Sequence, residues 1–179
     1  MKSKTTSIFM YGVAITVIMI LLSVISYVLN LSESTFFGVI TYIFFILSIF
    51  FAQRFHRNTV YDGAASFKIL FKDSFFMILI FVVLNTIYNY IFLSLIAPET
   101  VEQAMIFAKQ KLFEVEGLSD AQLEQSWEWT KKFLTPTVMT ISSLFTFLLW
   151  GTVFALISAA INKKKIDEYQ EVMNDIETN

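Results

Sequence analysis

Asn85 and Asn89 stand one helical turn apart inside an otherwise apolar stretch, and His56 is the only histidine in the chain. These are the side chains whose chemistry stands out. Two amides at that spacing offer either a polar strip for a ligand or ion, or hydrogen bonds between helices worth about 0.6–2 kcal/mol each in a membrane. Amides carry protons poorly. No carboxylate accompanies them, which argues against a proton- or sodium-coupled transporter. His56 lies between Arg54 and Arg57. General acid work needs a partner group, and none is evident. The expected setting for His56 is a basic cluster against anionic headgroups.

Seven acidic residues follow: Glu99, Glu102, Glu114, Glu116, Asp120, Glu124 and Glu128. Their spacing is not that of a calcium loop, so solvated helix faces are expected. The chain has no cysteine, which removes disulfides, thiolate chemistry and Cys-type zinc sites. No GxSxG, HExxH, Walker or GxGxxG pattern occurs. The expectation is therefore a protein that is not an enzyme, with no catalytic residue, no metal and no cofactor. A formal net charge of −2 excludes the usual basic footprint for nucleic acid.

The elements that must position these residues are four apolar runs, 8–28, 35–52, 74–97 and 137–161, none with a charged residue or histidine. Each approaches or exceeds the ~20 residues that cross a bilayer core. Hydrophobic residues make up 56% of the chain, with 20 Phe, and the mean hydropathy is +0.64. The fold class expected is all-α, a four-transmembrane-helix bundle forming one membrane domain over 1–179. Lys2 and Lys4 precede the first run, but that run is longer than a signal-peptide core of about 7–15 residues, so it reads as a retained anchor. With four spans, the N-terminus, the second loop and the tail share one side. That side holds nine Lys and Arg residues against four on the other. Both termini are thus expected in the cytoplasm of a bacterial inner membrane.

The segment 98–134 reads as an outer helical hairpin. Pro98 suits a first helical turn, with Glu99 and Glu102 near its positive dipole end. Val101, Met105, Ala108, Leu112 and Val115 form one stripe, and Gly117 is placed to end the helix. Ser119 with Gln122 reads as a capping box for a second helix, whose stripe is Leu123, Trp127, Thr130 and Leu134. Beyond the fourth run, 162–179 repeats the amphipathic pattern through Ile166, Tyr169, Met173 and Ile176. Small residues at fourfold spacing, Gly12 with Thr16 and Gly151 with Ala155 and Ala159, are expected to pack helices closely. Arg54, Arg57, Lys68, Lys72 and Trp127 are expected on a surface facing headgroups or a partner.

The sequence Asp62-Gly63-Ala64-Ala65-Ser66-Phe67, then Phe71-Lys72 and Phe75, resembles the entry to the third span in the DUF4199 family of Bacteroidetes membrane proteins. Pro98-Glu99, Gly117-Leu118-Ser119 and Gln122-Leu123-Glu124-Gln125 continue the resemblance through the hairpin. Many members carry glycine where this chain has Lys68 and Ser74. The family has no known function. The resemblance implies an anchoring or partner-subunit role beside a polyprenyl-phosphate type glycosyltransferase.

The expected function is a non-catalytic inner-membrane accessory or scaffold subunit. Its partners would be the bilayer and a membrane or cytoplasmic protein, with a homo-oligomer allowed. The rival is a small lipid or solute translocator working along the polar face of the third span.

Overall fold

The computed structural model of the chain describes residues 3–31, 34–115, 117 and 119–164. The fold is all-α: α1 (Lys4–Val28), α2 (Thr35–Val60), α3 (Phe67–Ile91), a π-helical turn (Phe92–Ile96), α4 (Glu99–Phe113), α5 (Asp120–Phe133) and α6 (Pro136–Asn162). Helices α1, α2, α6 and α3 with its π turn are long and apolar enough to cross a membrane. The amphipathic tail expected over 162–179 falls, beyond residue 164, outside the described residues.

Two compact units divide the chain. The first holds Met1–Leu84 and Phe147–Asn179, the second Asn85–Thr146. The first unit is a four-helix bundle made of α1, α2 and the adjoining parts of α3 and α6. Its core is aromatic. Phe45 is fully buried, and its ring lies 5.1 Å from Phe81 and 5.4 Å from Phe147. The small residues do close the helices together here. A β-carbon on Gly12 would come within 2.9 Å of Ile80 Cβ and of the Met77 carbonyl oxygen, and one on Gly151 within 2.9 Å of Ile78 Cγ2. Thr16 is buried and bonds back to the Gly12 carbonyl at 2.9 Å, and Ala155 and Ala159 are fully buried.

Helices α2 and α3 extend furthest past their uncharged runs. α2 continues from residue 52 to Val60, and α3 begins at Phe67 rather than at 74. The charged residues there leave the apolar run without leaving the helix, because propensity does not exclude Arg, His or Lys. Between these helices Asp62 (φ 49°) and Gly63 (φ 87°) take left-handed backbone to reverse the chain. The Ala65 carbonyl then accepts from the Lys164 amide at 3.1 Å, tying this turn to the end of α6.

The second unit contains the helical hairpin. Ser119 forms the predicted capping box, its hydroxyl accepting from the Gln122 amide while the Gln122 side chain accepts from the Ser119 amide at 2.9 Å. Gly117 takes φ 89° in the turn. Val101, Leu123 and Trp127 are buried along the predicted stripes, whereas Val115, past the end of α4, is exposed. Trp127 corrects the expectation of a surface residue. It is only 8% exposed, with the Lys109 ammonium 5.5 Å from its ring centroid. Its neighbour on the opposite face, Trp129, is the exposed one.

Candidate functional site: a buried Ser7–His56–Asp73 chain

Four helix ends of the first unit bring polar side chains into one buried cluster. On α1, Lys4 and Ser7 are one turn apart. On α2, Gln53 and His56 share a face, and Arg57 follows. Asp73 and Ser74 lie in the early turns of α3, and Ser158 and Asn162 end α6. Each pair keeps helical i, i+3 or i, i+4 spacing, or adjacency, so each points one polar edge inward.

The centre is His56, which is fully buried. Its Nδ1 lies 2.8 Å from the Ser7 hydroxyl, and its Nε2 lies 3.1 Å from Asp73 Oδ2. An ionised carboxylate can only accept, so Nε2 must carry the hydrogen it gives to Asp73. In the neutral ring Nδ1 is then the acceptor, and the Ser7 hydroxyl donates to it. Tyr11 and Tyr61 meet the imidazole edge-on, with centroids 6.2 and 5.7 Å away, and restrict the ring from two sides.

Asp73 is 1% exposed and would be costly to bury alone. Three groups offset that cost. His56 and the Tyr61 hydroxyl both donate to Oδ2, the latter at 2.6 Å. The Lys4 ammonium sits 3.0 Å from Oδ1. This last contact is an ion pair to the carboxylate oxygen that His56 and Tyr61 leave open. Burial, reinforced by the Asp73 contact, pushes the Tyr61 phenol above its ordinary pKa, and the nearby Lys4 partly opposes this.

A second chain of bonds runs beside the first. Gln53 donates to Ser74 at 2.9 Å and accepts from Ser158 at 2.6 Å and from Asn162 at 3.1 Å. Arg57 is 7% exposed, which corrects its expected place at the headgroups. Its guanidinium donates to the Asn162 carbonyl at 2.6 Å and to Asn58 Oδ1 at 3.0 Å. The first of these contacts satisfies a carbonyl at the end of α6. Arg54, Lys68 and Lys72 remain exposed.

A cavity of about 400 Å³ opens beside the relay, lined by Ser7, Met10, Tyr11, Ala14 and Thr59. Among the described residues no three His, Asp or Glu side chains converge as a metal site. In the second unit Asn85 is buried, and Asn89 is half-buried and donates to Ser143 at 2.9 Å. The polar pair singled out in the sequence is thus not part of the cluster.

His56 lacked a partner in the sequence because its partners are distant. Ser7 is 49 positions away and Asp73 17. A signal was present nonetheless: polar residues at helical spacing recur at one end of every apolar run.

Residues 10–164 match the model of a family described as a protein of unknown function, DUF4199, and the chain belongs to that family. No curated protein and no solved structure matches the chain.

Proposed function

We propose that this DUF4199 member is an accessory or scaffold subunit of a membrane assembly. One observation carries the reading. The end of the helical bundle is fastened from within by buried polar bonds, while Arg54, Lys68, Lys72, Lys163 and Lys164 stay exposed around it. An end bonded internally and cationic outside suits a fixed docking platform better than a gate. Long-range Lys and Arg fields also steer acidic partners. By the nine-to-four distribution of Lys and Arg, this end faces the cytoplasm of a bacterial inner membrane. The partner class implied by the family resemblance is a polyprenyl-phosphate type glycosyltransferase.

A translocator finds less support, since the amide of Asn89 is bound to Ser143 rather than open to a passing solute.

A tagged full-length chain purified from native membranes in mild detergent tests the proposal. A stoichiometric protein partner is expected, and it should be lost when Arg54, Lys68 and Lys72 are all changed to Glu. Recovery of the chain alone, or only with copies of itself, overturns the reading. A reporter fused after Asn179 tests the orientation: it should work only in the form that functions in the cytoplasm.

A further inference from the structure

We propose that Ser7 is an acyl-accepting nucleophile, with His56 as its base and Asp73 as the residue that positions His56, acting on an ester with an apolar acyl chain. The inference does not depend on the accessory role: it needs the buried Ser7–His56–Asp73 bonds and the cavity, not the exposed cations. Three observations meet at one place. The Ser7 hydroxyl is 2.8 Å from His56 Nδ1. The opposite ring nitrogen is held by a buried carboxylate at 3.1 Å. The third is the cavity of about 400 Å³ that Ser7 borders.

Nucleophilic serine needs an adjacent base oriented by a third group, and such groups are recognised by geometry rather than by order in the chain. Here the ring is used in the reverse sense to the usual hydrolase, with Nδ1 toward serine. The proton-transfer logic is the same. Lys4 beside Oδ1 supplies the countercharge that lets a carboxylate remain in so buried a place. Ser7 belongs both to the buried cluster and to the lining of the cavity.

The substrate class follows from the lining. Met10, Tyr11 and Ala14 are apolar or largely so, and they lie on α1, a helix long and apolar enough to span a membrane. The volume is in the range of about 300–1,000 Å³ that small-molecule sites occupy, enough for an ester carbonyl and part of an acyl chain. In the reaction the Ser7 oxygen bonds to the ester carbonyl carbon and its proton passes to His56 Nδ1. Collapse of the tetrahedral intermediate breaks the bond to the alcohol, which leaves with the proton from Nδ1. Water then repeats the sequence on the acyl-serine, releasing the carboxylic acid and restoring Ser7. The net change is ester plus water to acid plus alcohol.

The experiment uses the full-length chain in mild detergent. An alkyl fluorophosphonate should form one adduct, mapped by mass spectrometry to Ser7 and absent in Ser7→Ala. The labelling rate should fall about 100-fold in His56→Gln, the size of a general-base contribution. The chain has no cysteine, so Ser7→Cys introduces a single thiol and supplies a second readout in which His56 is retained. Its alkylation by iodoacetamide should proceed well below the ordinary thiol pKa of about 8.5, because the imidazole removes the proton. If wild-type Ser7 takes no fluorophosphonate, or if the Ser7→Cys thiol reacts only with the pH profile of a free thiol, the proposal fails and the chain of bonds is a helix fastener.

Discussion

Lys4 of α1 lies 3.0 Å from Asp73 of α3, yet the lysine side chain is 47% exposed and the carboxylate 1%. The pair is therefore lopsided. Water screens the cation, while the anion depends on protein donors. Removing each partner should have different consequences.

Asp73→Ala should destabilise the chain by about 3–5 kcal/mol, because it leaves the His56 and Tyr61 donors without their shared acceptor, at about 1–3 kcal/mol each. Lys4→Ala should cost about 1–3 kcal/mol, less than Asp73→Ala, because water already screens the exposed ammonium and Asp73 keeps its bonds from His56 and Tyr61. Unfolding of both variants in detergent, followed by circular dichroism, measures the difference. Equal losses would show that the ammonium, and not the hydrogen-bonded side of Asp73, dominates the site.

Gly12 and Gly38 should respond oppositely to alanine. A β-carbon at Gly12 would meet the Met77 backbone oxygen at 2.9 Å, whereas one at Gly38 meets nothing within 4 Å. Gly12→Ala should cost about 1–3 kcal/mol through overpacking. Gly38→Ala should gain about 0.5–1 kcal/mol through reduced backbone entropy. The same unfolding measurement in detergent decides between them.

Tyr61 should stabilise the fold up to ordinary pH and lose that contribution in alkali. Burial, with the Asp73 bond, raises its folded pKa above the ordinary phenol value. A group whose folded pKa is raised contributes fully below its unfolded pKa and loses that contribution as pH rises through the folded value. The wild type should therefore lose more stability above about pH 10 than Tyr61→Phe. Phenolate absorbance, taken as wild type minus variant, should show Tyr61 ionising later than an exposed tyrosine.

Ser119→Ala should loosen the hairpin without disturbing the polar cluster, which lies in the other unit. Loss of an N-cap costs about 0.5–2 kcal/mol. Amide hydrogen exchange should quicken in the first turns of α5 (Asp120–Phe133) and stay unchanged in α2 (Thr35–Val60).

The sequence by itself determined what depends on neighbours along the chain. Uncharged runs of membrane length marked four long helices, since hydrocarbon excludes charge wherever the run folds. Ser119 with Gln122 marked a helix start, and Gly117 a break, because capping and left-handed backbone are decided within a few residues. Gly12 and Gly151 were legible as close contacts, for only small residues let helix backbones approach.

Tertiary structure alone decided which faces turn inward. Arg57 and Trp127 look like surface residues until Asn162 and Lys109 are brought against them. His56 looks like a headgroup contact until α1 and α3 deliver Ser7 and Asp73 from 49 and 17 positions away. The end of an apolar run tells where lipid stops. It does not tell whether the next polar residue meets water or another helix, because that depends on the rotation each helix adopts when the bundle packs.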